Sequence, residues 1–166
     1  QDILTRHSLA NIIEHFAKVT EEKDKTTRKI LQTLYFPRYH QLEVVRKILA
    51  HLKKSGIGLR YLIQHSAGSG KSNSIAWLAY QLIELYDAGG ESNLFDSVIV
   101  VTDRRLLDDQ IQTTIKQFMQ VGATVGHAER SGDLRRFIEQ GRKIIVSTVQ
   151  KFPFILDEIA TESGRT

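Results

Sequence analysis

The chain is 166 residues long, 41% hydrophobic and 25% charged, the make-up of one globular domain that buries its own core. It has no cysteine, which excludes disulfides, thiolate zinc sites and a cysteine nucleophile. Lys and Arg number 23 against 19 Asp and Glu, and the net charge of +4 permits a nucleic-acid partner without requiring one. The longest apolar runs, such as Val98–Val101 and Ile144–Val146, fall far short of the roughly 18 residues of a membrane span, so no membrane association is expected. No signal-peptide pattern opens the chain. A start on Gln1 and a polar end at Thr166 suit a piece of a longer protein.

In chain order, residues 1–35 read as a helical lead-in or linker. Leu4, Leu9, Ile12, Ile13, Phe16 and Ala17 recur near helical spacing, and Ile30, Leu31 and Leu34 follow a charged run, Glu21 to Lys25. Phe36-Pro37 breaks the pattern. A helix is predicted from Tyr39 to about Lys54, with Val44, Val45, Ile48, Leu49 and Leu52 on one face and Gly56 near its end. A short strand, Arg60 to Gln64, leads into Ser66-Ala67-Gly68-Ser69-Gly70-Lys71-Ser72, and a helix runs on to about Asp87. The β-branched run Val98–Val101 suits a strand buried on both faces. Asp103 is placed to cap a helix carrying Leu106, Leu107, Ile111, Ile115 and Phe118. A strand over Thr124–His127, a helix over Asp133–Gln140 capped by Ser131, a strand over Ile144–Thr148 and a helix over Phe152–Ile159 complete the order. This alternation predicts an α/β domain over residues 36–166, a parallel sheet with flanking helices and right-handed crossovers.

Gly68-Ser69-Gly70-Lys71-Ser72 lies between a predicted strand and a predicted helix, the setting of a phosphate-binding loop. Glycines let successive N–H groups turn inward toward phosphate oxygens, and the positive end of the following helix adds to the attraction. Ser66, Ala67, Gly68, Ser69, Gly70, Lys71 and Ser72 are the expected cofactor contacts. Lys71 is placed to reach the β- and γ-phosphates of ATP, and the Ser72 hydroxyl to ligate Mg²⁺. His65 stands where the strict pattern has its first glycine. About thirty residues earlier comes Phe36-Pro37-Arg38-Tyr39-His40-Gln41. A glutamine amide offers a donor and an acceptor for adenine's N6 and N7 edge, and a neighbouring ring or the Arg38 guanidinium offers a stacking face.

Gln41 followed by His65–Ser72 resembles the Q motif and motif I of superfamily 2 helicases, in which the first loop glycine is often replaced. Val100–Gln110 resembles motif Ia, and Ile145–Phe152 the next motif. Phe-Pro-Arg-Tyr-His-Gln, His-Ser-Ala-Gly-Ser-Gly-Lys-Ser, Thr-Asp-Arg-Arg with Asp-Asp-Gln, and Ser-Thr-Val-Gln-Lys-Phe resemble, over about residues 34–156, the motor subunit of type I restriction–modification enzymes. The resemblance implies a RecA-like P-loop NTPase domain, the first of two in a large cytoplasmic bacterial subunit. That subunit translocates double-stranded DNA with ATP, cuts it through a separate nuclease domain, and works with specificity and methyltransferase subunits. It also implies that Thr102, Arg104, Arg105 and Thr148, after the motif strands, lie along the DNA backbone, where hydroxyls and guanidinium groups bind phosphate without reading sequence. Lys151 could add charge. Arg104-Arg105 pairing with Asp108 and Asp109 along a solvated helix is compatible with that role.

The resemblance further implies an Asp-Glu-x-His motif past Thr166, so the domain is expected to be incomplete at its C-terminal side. Asp157-Glu158 follows Thr148 too closely for another helix and strand and suits a helix better. Residues 1–166 alone are therefore expected to bind ATP weakly and to hydrolyse it negligibly. Glu21-Glu22-Lys23, half of a nuclease signature, reads as a solvated helix face. The histidines (His7, His15, His40, His51, His65, His127) show no H-x-x-x-H spacing, so no zinc site is expected. The alternatives are another superfamily 2 DNA or RNA helicase, a stand-alone P-loop kinase or GTPase, and a non-enzymatic DNA-binding module. A kinase or GTPase calls for the first loop glycine and an N-K-x-D motif, and neither is present.

Overall fold

The computed structural model describes residues 4–23, 30–87, 89–103, 111, 113–115, 125–128 and 131–151. Helix α1 (Arg6–His15) begins where the Thr5 hydroxyl accepts the Ser8 N–H at 3.3 Å, an N-cap contact. The helix expected to fill residues 1–35 ends at His15. Strands β1 (Lys18–Lys23) and β2 (Ile30–Tyr35) form an antiparallel hairpin with Val19 opposite Leu34 and Glu21 opposite Gln32. The reason is local: Val19, Thr20, Ile30 and Thr33 are β-branched and fit a pleated surface better than a helix. Glu21 accordingly lies on a strand, not on a helix face, and its carboxylate accepts the Gln32 amide across the hairpin at 2.9 Å.

Helix α2 (Tyr39–Ser55) follows the buried Pro37. Its apolar stripe, Leu42, Val45, Ile48 and Leu52, is buried, and Gly56, at φ 74°, ends it. Helix α3 (Lys71–Ile83) packs on α2 and contributes Ala76, Trp77, Ala79 and Ile83 to the main core. The end of α1 belongs to that core. Ile12 and Phe16 are fully buried, the Phe16 and Trp77 rings lie 5.9 Å apart, and the indole N–H donates to the Phe16 carbonyl at 2.8 Å. Arg46 on α2 ties α1 down from the other side, donating to Asn11 Oδ1 at 2.7 Å and to Ser8 Oγ at 3.0 Å. Burial pushes the guanidinium's pKa below its usual value.

Strands β3 (Val98–Thr102), β4 (Val125–His127) and β5 (Ile144–Thr148) form a parallel sheet in the order β3-β5-β4, as the α/β pattern predicts. Helix α4 (Ser131–Glu139) covers β4 and β5 from the face opposite α3 with Leu134 and Phe137. The strand buried on both faces is β5, whose five residues are all buried, and not β3. β3 lies at the edge of this sheet, and Ile99 and Val101 on its outer face are 39% and 48% exposed. Hydrophobicity was similar in the two runs; position between two neighbours decides burial.

The strand expected over Arg60–Gln64 is not formed. These residues carry no secondary structure, and Leu62 is 95% exposed. A strand requires a neighbour for its N–H and C=O groups, and none of the described strands pairs with this segment. In the helix expected after Asp103, residues 111 and 113–115 are helical, with Ile111 and Ile115 buried. Arg104 and Arg105, the helix expected over 152–159 and the pair Asp157-Glu158 lie outside the described residues. Among the described residues, no helix is long and apolar enough to cross a membrane.

Candidate nucleotide site

The stretch Ser66–Ser72 folds as a tight turn running straight into α3. Gly68 and Gly70 adopt φ of 73° and 78°, a left-handed conformation that side chains with a Cβ rarely take. The Ser69 N–H turns back to the Ser66 carbonyl at 3.4 Å, and Gly70 caps α3, its carbonyl accepting the Asn73 and Ser74 N–H groups at 3.1 and 3.3 Å. Lys71 and Ser72 are thus the first two residues of the helix, where unpaired N–H groups and the helix dipole favour an anion.

The Lys71 ammonium donates to the Ser66 carbonyl at 2.7 Å and to the His65 carbonyl at 3.2 Å, folding over the mouth of its own loop. It is exposed and, among the described residues, is held by no carboxylate, so it can exchange these carbonyls for phosphate oxygens. Beneath it lies a cavity of about 230 Å³ lined by Val44, Val45 and Ile48 of α2, Ile75 and Leu78 of α3, and Ile63. Ser69 Oγ is buried without a hydrogen-bond partner, a polar atom in the loop left unsatisfied. Left-handed glycines, helix-start amides, an exposed ammonium, the Ser72 hydroxyl and this orphaned oxygen fit ATP with Mg²⁺. Ser66 to Ser72 would hold the phosphates and Ser72 the metal.

Of the upstream residues, Gln41 comes to the loop, and Arg38 meets Gln41 through its backbone N–H. Gln41 is only 3% exposed. Its amide nitrogen donates to the Ser69 carbonyl at 3.1 Å and the Gly70 carbonyl at 3.0 Å, while its oxygen accepts the Arg38 N–H at 2.8 Å. The last contact is one half of a capping box, the third helical residue reaching back to the N-cap. Arg38 and Tyr39 stand exposed at the start of α2. Two further residues join the site to which the sequence reading gave no binding role. His40 Nε2 lies 3.0 Å from the Ser69 carbonyl, and its ring stands edge-on to His65 at 5.0 Å between centroids. Only the position of His40 beside Gln41 hinted at it.

Thr102 and Thr148 are brought together as register partners at the carboxyl ends of β3 and β5. Both are buried, to 6% and 2% exposure. Just beyond them the Gln150 amide donates to the Asp103 carbonyl at 2.9 Å and links the turns that follow the two strands. No cluster of His, Asp and Glu able to hold a metal occurs among the described residues.

The SWI2/SNF2 ATPase family matches residues 40–164, from His40 and Gln41 at the start of α2 through Ser66–Ser72 to β5 and beyond. The chain belongs to that family. A SWI2/SNF2 domain is a superfamily 2 helicase-like ATPase, and membership implies ATP binding and ATP-driven movement on nucleic acid. The parallel sheet and flanking helices are those of a RecA-like SWI2/SNF2 domain. Comparison with curated proteins gives no match.

Proposed function

We propose that this SWI2/SNF2 domain is the ATP-binding part of a double-stranded DNA translocase, the motor subunit of a type I restriction enzyme. The observation that carries the motor reading is the phosphate loop: two left-handed glycines delivering Lys71 and Ser72 to the first turn of α3. The finer assignment rests on wording. Phe36–Gln41, His65–Ser72, Thr102–Arg105 and Ser147–Phe152 together resemble that subunit, and the family match spans most of them.

In this reading the Gly70 and Lys71 amides and the Lys71 ammonium bind the β- and γ-phosphates, and the Ser72 hydroxyl takes Mg²⁺. The Lys71 ammonium leaves the Ser66 and His65 carbonyls to do so. Bound ATP supplies the phosphoanhydride whose hydrolysis drives movement. DNA runs past the turns after β3 and β5, which Gln150 links, with Arg104 and Arg105 supplying charge to the phosphate backbone. Thr102 and Thr148 are buried, so their hydroxyls reach DNA only if those turns open. The specificity and methyltransferase subunits, the nuclease step and the cytoplasmic bacterial setting belong to the same proposal.

The test is ATP hydrolysis by the full-length protein with duplex DNA, single-stranded DNA or RNA added. Stimulation by duplex DNA alone, abolished by Lys71→Ala, is the expected result. Stimulation by RNA moves the assignment to another superfamily 2 helicase. Activity that survives Lys71→Ala overturns the phosphate-loop reading altogether.

A further inference from the structure

Away from the phosphate loop, α1, α2 and the end of α3 enclose a cleft of about 410 Å³, the size of a small-molecule site. Its apolar wall is Leu49 and Ala50 of α2 with Leu85, just past α3. Its polar wall is Arg46 and Lys53 of α2, Asn11 and His15 of α1, and Gln81 of α3. Glu84, the carboxylate among the lining residues, is exposed and lies beside the Tyr80 hydroxyl. Gln81 stands about 15 Å along α3 from Lys71, so the cleft is separate from the phosphate loop.

Two groups in this cleft lack what their chemistry calls for. The Gln81 amide nitrogen is buried without a hydrogen-bond partner among the described residues. A buried donor left unmet is costly and calls for an acceptor. The Arg46 guanidinium is half-buried, and the partners it holds are all neutral: Asn11 Oδ1, Ser8 Oγ and the Ser8 carbonyl. These contacts leave an Nη1 N–H over. Burial lowers the guanidinium's pKa, and no neighbouring carboxylate among the described residues raises it again. Lys53 has a plainer use as well, since it lies in the last turn of α2, where a cation meets the helix dipole. Arg46 lies in the middle of α2, where the dipole asks for no charge.

We propose that this cleft binds a small organic anion, its carboxylate or phosphate head on Arg46, Lys53 and the Gln81 amide and its apolar body on Leu49 and Leu85. An anion meets the guanidinium's charge and the amide's donor together, whereas a neutral molecule or a water meets only the second. Asn11 and His15 come from α1, which lies before the family-matched residues 40–164, and the other walls come from α2 and α3 with the residues just beyond it. The bound anion therefore also fastens α1 to the motor domain.

The test is saturation-transfer NMR titration of the full-length protein with phenyl phosphate, phenylacetate and benzyl alcohol. Mg²⁺ and an excess of a non-hydrolysable ATP analogue are present to occupy the phosphate loop. Wild type is compared with Gln81→Leu and Lys53→Met, and each variant's melting temperature is recorded. Wild type is expected to bind both anions, and benzyl alcohol about tenfold more weakly or less. Gln81→Leu removes the orphaned donor and is expected to weaken both anions by about tenfold while leaving benzyl alcohol within about twofold. Lys53→Met, an exposed change, is expected to weaken both anions by about threefold. Tighter phenyl phosphate assigns a phosphate head and tighter phenylacetate a carboxylate, and either result supports the site. Benzyl alcohol binding as tightly as the anions, anion binding unchanged by Gln81→Leu, or no anion binding at all overturns the proposal. If Gln81→Leu melts too low to titrate, Lys53→Met decides: weaker anion binding supports the site, and unchanged binding overturns it.

Discussion

Gly70 and Gly68 share a left-handed backbone and differ in what surrounds them, which separates strain from crowding. A Cβ at Gly68 meets open space, whereas one at Gly70 meets Gln41. Gly68→Ala should therefore cost only the conformational term, about 1 kcal/mol. Gly70→Ala should cost at least twice that and also displace the Gln41 amide, so both stability and triphosphate binding fall. Chemical denaturation and titration of the two variants side by side check the difference; equal losses would mean that Gln41 yields easily. Lys71 behaves in the opposite sense. Its ammonium is exposed and rests on two carbonyls that water can serve as well. Lys71→Ala should leave the melting temperature within about 2 °C of wild type, as surface changes generally do. The same variant should lower ATP affinity by roughly tenfold or more, since charge-assisted contacts to phosphate are the strong ones.

Among the elements, α1 is fastened to the motor core by buried contacts, and the fastening can be measured. Trp77 lies two turns beyond the phosphate loop on α3, and its indole N–H donates to the carbonyl at the end of α1. Trp77→Phe keeps most of the ring packing and removes the donor, leaving a buried carbonyl unsatisfied, so unfolding in urea should move to a lower midpoint by about 1–3 kcal/mol at constant slope. The sequence carried α2, α3 and β5 because each is internally specified: long helical periodicity stopped at glycine, a glycine-lysine start, a short β-branched run. It did not carry the hairpin, because the spacing of Ile30, Leu31 and Leu34 fits a helix and a strand alike, and only Val19, Thr20 and Thr33 tilt the balance. Nor could it separate β3 from β5, or show that Arg60–Gln64 stays unpaired, because pairing depends on residues far away in the chain. The candidate site divides the same way. Gly68–Ser72 was legible since the loop's chemistry is written into consecutive residues. The partner of Gln41 was not: an amide serves a base edge or a backbone carbonyl equally well, and 28 residues separate it from Ser69.

For the molecule as a whole, binding and turnover come apart. Hydrolysis needs a group that orients or deprotonates the attacking water in line with the γ-phosphate, in addition to a cradle for charge. The cradle is present in Ser66–Ser72. The cavity beneath Lys71 is lined by apolar side chains and Ser74, with no carboxylate among its residues. Glu21 and Asp87 have other settings: Glu21 is bonded across the hairpin, while Asp87 accepts the Glu91 N–H and the Ser92 hydroxyl in the turn after α3. Residues 1–166 on their own should therefore bind Mg²⁺·ATP weakly, through phosphate contacts, and release it unhydrolysed. Duplex DNA should not change that, because charge on the turns after β3 and β5 does not supply a water-activating group, and none lines the cavity among the described residues. A phosphate-release assay on residues 1–166, with and without duplex DNA and with Lys71→Ala as the blank, measures this directly. Turnover above the Lys71→Ala blank that rises with DNA would place a working acid or base within these residues, and the Asp157-Glu158 pair would be the first to substitute.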